Sequence, residues 1–417
     1  MARPTARGTA LLAVAVGAYL AARIVGTWEL YFLAFAFLAA VGVAWVLVLA
    51  TGRHLQVVRS VTPAQPVAGD PLLLSFLVRN GSALPGLQVT LVDATGELGG
   101  HDRPIEVESL GSRSERVAKS GPWPARRGVH RLPAPIAVAE DPLGLVRARR
   151  RQGEPLGFTV FPRLAHLSSC ALLADMGARY GGGRRRRPSV AASELRGIRP
   201  HNPGEPLNRV DWKSTAKTGS LMLREMEEAT DGGVALLLNG AASCVLGEPP
   251  ETTFEVAVEA AGSIADYALR SGHPVTLLLP DNEWRPIRLS PGAKGRGRLL
   301  AILAGATPRG LSQLGPSLRA LVADGRRLAR TRSLTLVVLS LDRGLVRALV
   351  ALRGEGLPVS VVHVADRPLV AAGAAAESLD LGRSLSAAGV HYLAVGRGDD
   401  LRTALSMRPE GRYARAR

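Results

Sequence analysis

Asp211, Glu225 and His201 are the side chains of this sequence best suited to acid–base chemistry, two carboxylates that can take or give a proton and an imidazole that titrates near neutrality. A hydrolytic site built on them is one reading, and it rests on residue type alone. The spacings that mark known chemistry are missing. The nearest approach to GxxxxGK[ST] is PGAKGRG at 291–297, which lacks both the spacing and the hydroxyl residue, and no GxGxxG leads from a strand into a helix. HExxH and GxSxG are absent as well. The eight histidines stand singly, and Cys170 and Cys244 have neither CxxC nor Cys/His ligand spacing, so they read as buried, inert thiols. These absences point away from an enzyme and from any cofactor.

Charge is the stronger signal. The net charge is +17 with a pI of about 11.0, and arginines cluster in RARRR at 147–151 and RRRR at 184–187, the latter behind Gly181-Gly182-Gly183. Such runs suit anionic partners. Aromatics make up only 4% and do not interleave with the arginines, so no stacking platform for nucleic acid is expected, and membrane lipid is the expected anionic partner.

The elements that would carry these residues follow from hydropathy. TALLAVAVGAYLAARIV at 9–25 and LYFLAFAFLAAVGVAWVLVLA at 30–50 each approach the roughly 20 apolar residues a membrane helix needs, and the short linker between them predicts a helical hairpin over 1–53. Arg3 and Arg7 before it and Arg53, His54 and Arg59 after it, against Glu29 in the turn, place both ends in the cytoplasm by the positive-inside rule. The expected location is therefore the cell membrane, multi-pass, with the soluble domains cytoplasmic. From 54 to 165, short apolar runs separated by turn residues such as Asn80-Gly81 predict an all-β immunoglobulin-like sandwich. Within it Asp141-Pro142-Leu143-Gly144 reads as a structural corner. Residues 166–232 form a basic linker and a charged segment. From 233 to 400, apolar strands such as VALLLN alternate with helical stretches, which predicts a Rossmann-like α/β domain with a parallel sheet covered on both faces. Residues 401–417 read as a basic C-terminal tail.

The segment 193–228 is dense in charge yet punctuated by Trp212 and proline. Its elements are Glu194-Leu195-Arg196, Pro203-Gly204-Glu205, Arg209-Val210-Asp211-Trp212-Lys213 with Ser214-Thr215-Ala216-Lys217, and Arg224-Glu225-Met226-Glu227. Together with Arg127-Gly128, the Asp141 corner and Phe161-Pro162-Arg163, this pattern resembles the domain of unknown function 58 family. The resemblance implies a bacterial membrane protein with a helical hairpin, a small β domain and a von Willebrand factor A-like domain, with no assigned enzymatic activity. It also implies a MoxR-type AAA+ ATPase as partner, and often a transglutaminase-like membrane protein. The leading expectation is a non-enzymatic, membrane-anchored scaffold docking such an ATPase; the other is an envelope structural protein acting through lipids or membrane proteins.

Residues expected to serve the partner are Arg196, Gly204, Glu205, Arg209, Asp211, Trp212 and Glu225. In an extended segment Arg209 and Asp211 would share a face while Trp212 points the other way and anchors into the sheet, so Trp212→Ala should destabilise and Asp211→Ala should weaken capture. A von Willebrand A-like fold would place a DxSxS metal site at the end of its first strand. The corresponding Asn239-Gly240-Ala241-Ala242-Ser243 has lost the carboxylate and one hydroxyl, leaving Asn239, Ala241 and Ser243 as degenerate positions. Asp342 supplies a carboxylate near a later strand end, one place past the family's usual aspartate, and no metal is expected.

Overall fold

A computed structural model describes residues 2–84, 87–93, 104–173, 194–200, 210–227, 233–279, 285–311, 314–323, 331–365 and 372–406. Two compact units divide between Arg163 and Leu164.

The first unit opens with a short strand, β1 (Ala2–Pro4), and the helices α1 (Ala6–Val25) and α2 (Trp28–Arg53). Thr5 caps α1 by accepting from the Gly8 N–H at 3.2 Å, and Gly26 ends it in the left-handed conformation at φ 77°. Tyr19 meets Tyr31 edge to face at 5.6 Å between the two helices. Both helices are long and apolar enough to cross a membrane. They are a little longer than the apolar runs themselves because flanking residues, Ala6–Gly8 before the first run and Trp28, Glu29 and Thr51–Arg53 around the second, also adopt helical geometry. Leu20, Phe32, Phe35 and Val46 are more than half exposed, a surface costly in water and suited to lipid.

Among the described residues nine strands follow: β2 (Leu55–Thr62), β3 (Pro71–Asn80), β4 (Leu87–Val92), β5 (Pro104–Leu110), β6 (Glu115–Pro124), β7 (Gly128–Leu132), β8 (Ile136–Glu140), β9 (Val146–Arg151) and β10 (Leu156–Val160). They form an antiparallel five-stranded sheet, β1-β9-β8-β4-β5, an antiparallel three-stranded sheet, β2-β3-β6, and a β7-β10 pair. Alternating residues from both larger sheets, Val57, Leu74 and Phe76 from one and Val89, Leu91 and Ala137 from the other, fill one core. The apparent single strand HRLPAPIAVAE splits between two sheets at Pro133 and Pro135, where the chain lacks ladder donors.

Two expectations fail in this unit. The hairpin segment is not purely helical, because Ala2–Pro4 pairs with Val146–Ala148 and enters the sheet. Arg59 is not an interfacial cation: it lies on the core-facing register of β2 with Leu55 and Val57, is 8% exposed, and ion-pairs with Asp93. Its other guanidinium nitrogen donates to the Leu132 and Pro133 carbonyls, both at 2.9 Å. The Asp141 corner is a turn, as expected. The buried Asp141 carboxylate accepts from the Leu143 and Val146 N–H groups at 3.0 and 2.6 Å. The Leu145 carbonyl in turn takes the Thr5 N–H at 2.9 Å, so this corner holds the start of α1.

The second unit begins with a 3-10 turn (Ala171–Leu173), and later come the antiparallel pair β11 (Glu194–Pro200) and β12 (Met222–Glu227), with a short helix α3 (Trp212–Thr218) between them in sequence. Next come β13 (Gly233–Asn239), the two-residue strands β14 (Gly247–Glu248) and β15 (Glu251–Thr252), and α4 (Thr253–Arg270). After them run β16 (Val275–Leu278), β17 (Ile287–Leu289), α5 (Ala293–Gly305), α6 (Leu314–Ala323), β18 (Thr331–Val338), α7 (Arg343–Gly354), β19 (Val359–Val364), α8 (Ala372–Ala387), β20 (His391–Val395) and α9 (Leu401–Ser406). The six-stranded sheet has the order β17-β16-β13-β18-β19-β20 and is parallel except at its β17 edge. Every residue of β13 and β19 is buried, which is why these strands read as predominantly apolar runs, broken in β19 only by Ser360 and His363. Val234, Leu236 and Leu238 face a core with α4, whereas Ala235 and Leu237 face one with α6 and α7. Both faces of the sheet are therefore covered.

His363 sits inside β19, its Nδ1 3.0 Å from the Tyr392 hydroxyl, and burial pulls its pKa down to about 4, so the ring is neutral. Residues 401–406 are not tail: α9 buries Leu401, Ala404 and Leu405 in the α4-side core, an amphipathic turn hidden in a charged stretch.

Candidate functional site

Two places merit attention as sites, the charged segment around α3 and the carboxyl end of β13. The strand order reverses direction at β13, and in open α/β sheets such a switch point is where ligands lodge.

That crevice is filled by the chain itself. Asn239, the last residue of β13, is 2% exposed, and its side-chain amide donates to the Leu311 carbonyl at 2.9 Å while its oxygen accepts the Leu311 N–H at 3.0 Å. Gly310 lies against the same strand end so closely that a Cβ there would sit 2.5 Å from the Ala241 nitrogen and 2.6 Å from the Asn239 oxygen. An amide serves this clamp better than a carboxylate, which could not donate to a carbonyl. Ala241 is buried, and Ser243 is exposed. Asp342 is engaged as the N-cap of α7, accepting the Leu345 N–H at 2.8 Å. Among the described residues no group of three or more His, Cys, Asp or Glu side chains gathers as a metal site. Titrating the full-length protein with Mg²⁺ should release no heat, and Asn239→Ala should cost about 1–2 kcal/mol by leaving both Leu311 groups unpaired. Micromolar Mg²⁺ binding would contradict this account of the crevice.

In the charged segment, β11 and β12 pair with a register shift between Leu195 and Gly197, which makes Arg196 the extra residue of a bulge and sets Glu225 opposite Gly197. Gly204, Glu205, Arg209 and His201 lie outside the described residues. Asp211 and Trp212 reverse the roles expected of them. Asp211 is 8% exposed; its N–H donates to the Met222 carbonyl at 2.8 Å and its carboxylate accepts from the Ser214 hydroxyl at 2.8 Å. Thr215 Oγ1 takes the Met222 N–H at 3.0 Å, which ties α3 to the start of β12. Trp212 is 68% exposed at the first turn of α3, with the exposed Lys213 next to it in sequence. The reversal has a local cause: the chain turns into a helix at Asp211, so the alternation of an extended strand no longer applies. Asp211 thus stands as a structural carboxylate and Glu225 as a strand position.

The thiols differ in the expected inertness. Cys170 is buried, which pushes its pKa up to about 11, whereas Cys244 is only half-buried.

Residues 197–377 match the family model described as "Protein of unknown function DUF58". The "Uncharacterized protein YeaD" of Bacillus subtilis (strain 168) is 26% identical over 280 residues, covering 63% of this chain and 64% of that protein, so the chain spans less than two thirds of this relative. Among solved structures, the crystal structure of the SpRpn10 VWA domain aligns with 42% of this chain and 92% of its own at 15% identity, with a TM-score of 0.30. From β11 into α8, then, this chain is similar to the family described as "Protein of unknown function DUF58".

Proposed function

We propose that this protein is a non-enzymatic membrane-anchored scaffold whose α/β unit docks a protein partner, a MoxR-type AAA+ ATPase, through the α3 segment. Trp212 carries the proposal. An indole left 68% exposed on a helix fastened at Asp211 and Thr215 is a preorganised anchor of the kind that dominates protein interfaces. The filled crevice at β13 and the absence of catalytic spacings favour a binding role over a reaction. On this reading the α/β unit is a von Willebrand A-like member of the Rossmann-like class, supported by its strand order, and the first unit is an immunoglobulin-like sandwich, supported by its two antiparallel sheets on one core. Crosslinked affinity purification of the full-length protein from its own membranes tests it. Recovery of an AAA+ ATPase supports the scaffold; recovery of envelope or lipid-synthesis proteins alone favours a structural role in the envelope.

The hairpin spans the membrane with both soluble units in the cytoplasm, a topology favoured by Arg3, Arg7 and Arg53 at one end of the hairpin and Glu29 at the other. Native Cys244 reports it. A membrane-impermeant maleimide should leave intact spheroplasts unlabelled and modify one thiol per chain after permeabilisation, because Cys170 is buried as the neutral thiol. Labelling of intact spheroplasts would reverse the orientation.

A further inference from the structure

The foot of the hairpin carries a charge arrangement that the scaffold reading does not use. β9 pairs with β1 in a register that sets Arg3 directly opposite Arg147. Residues two apart on a strand share a face, so Arg149 and Arg151 lie on the same face as this pair. It is the outer face, since Val146 and the partly buried Ala148 between them turn to the core. Arg3, Arg147, Arg149 and Arg151 are all exposed, and none makes an ion pair or side-chain hydrogen bond with a described residue. The nearest acid on this face is the half-buried Glu140, opposite Arg147 on β8; Glu106 stands three strands further from β9. Like charges placed directly across a ladder destabilise it, and a cation at a helix start, as Arg7 is at α1, opposes the helix dipole. Both costs vanish if an anion sits among them.

Position identifies the anion. Arg3 lies three residues before the first helical residue of α1, whose 20 residues span about 30 Å, the thickness of the hydrocarbon core. The polar layer on each side is roughly 5–8 Å deep. Arg3 falls within it, Arg7 in the first turn of α1 reaches it by extending its side chain outward, and Arg147 stands one strand spacing, about 4.8 Å, from Arg3. We propose that the outer face of the β1–β9 ladder, through Arg3, Arg7, Arg147 and Arg149, binds the phosphate of an anionic phospholipid at the base of the hairpin. Guanidinium groups suit this role because their fork of donors matches phosphate oxygens. Arg151, furthest along β9 from the start of α1, contributes long-range attraction only.

The proposal rests on the reading of the hairpin as membrane-spanning, and the test separates the two. The full-length protein is reconstituted into nanodiscs of phosphatidylcholine containing a minority of phosphatidylglycerol, extracted in mild detergent, and its retained lipid quantified by mass spectrometry. The wild type should retain phosphatidylglycerol over phosphatidylcholine well above the disc ratio, and Arg3→Gln or Arg147→Gln should each lower that preference about fivefold. Arg147→Lys should keep most of it. Thermal unfolding in discs of phosphatidylcholine alone checks that the variants fold; if a glutamine variant does not, raising the salt concentration on the wild type reads the same preference. Equal retention of both lipids by the wild type, or displacement of the lipid by millimolar inorganic phosphate, overturns the headgroup site while leaving the anchor intact. Failure to enter either kind of disc overturns the anchor and the site together.

Discussion

Arg59→Met should lower the unfolding free energy of the full-length protein by about 3–5 kcal/mol, because it removes the guanidinium that ion-pairs the buried Asp93 carboxylate. Both side chains are 1% exposed, so neither can recruit water in compensation. The pair also ties the layers together: Arg59 belongs to the three-stranded sheet, Asp93 directly follows β4 of the five-stranded sheet, and the Leu132 and Pro133 carbonyls that accept from Arg59 end β7. Loss of the arginine therefore removes a donor from two carbonyls as well as the ion pair. The double variant Arg59→Met/Asp93→Leu should recover most of the loss, since apolar replacements of a buried pair are often neutral. Urea denaturation in detergent, followed by far-ultraviolet circular dichroism, measures both. A double variant no more stable than Arg59→Met would mean that the destabilisation arises from packing around the guanidinium stem and not from the lost ion pair.

That pair marks a limit of what the sequence discloses. In β2 the residues alternate Leu55, Val57, Arg59 on the buried side, so the pattern alone assigns a charge to the core and the natural inference sends it to solvent or to the membrane surface. Its partner lies 34 residues away in another sheet, a pairing no local pattern announces. The same holds for β1, three residues whose partners lie beyond residue 145. The α/β unit was legible for the opposite reason. Strands such as β13 and β19 are buried on both faces, so they are mostly apolar, and the helices between them carry their own start signals, Thr252 before α4 and Asp342 before α7. At the candidate site, the absence of a DxSxS pattern was readable, but the use made of Asn239 was not, because Leu311 is 72 residues away and is recognised by its backbone alone. The α3 segment failed for reasons of length: seven residues give too little periodicity to distinguish a helical turn from an extended stretch, and which of Asp211 and Trp212 is buried depends on that choice.

The exchange of roles between those neighbours is the sharpest test of the scaffold. Trp212→Ala should weaken capture of the proposed ATPase partner by about 30-fold or more, the loss of an anchor worth at least about 2 kcal/mol, while changing the protein's own stability by no more than about 0.5 kcal/mol. Its indole is exposed, so little of the fold depends on it. Asp211→Ala should do the reverse on stability, costing about 1–2 kcal/mol, because it removes the carboxylate that accepts from Ser214 at the start of α3. Its effect on capture should be smaller than that of Trp212→Ala and indirect, since the buried carboxylate presents nothing to a partner and acts only by holding the helix that presents the indole. Trp212→Phe, which keeps an aromatic face, should retain part of the capture lost in Trp212→Ala. Quantitative crosslinked purification gives the first readout and thermal unfolding the second. Undiminished capture by Trp212→Ala would remove α3 as the docking surface; a fall in stability as large as that of Asp211→Ala would mean the indole is a packing residue, and the partner must then be sought on another face of the α/β unit.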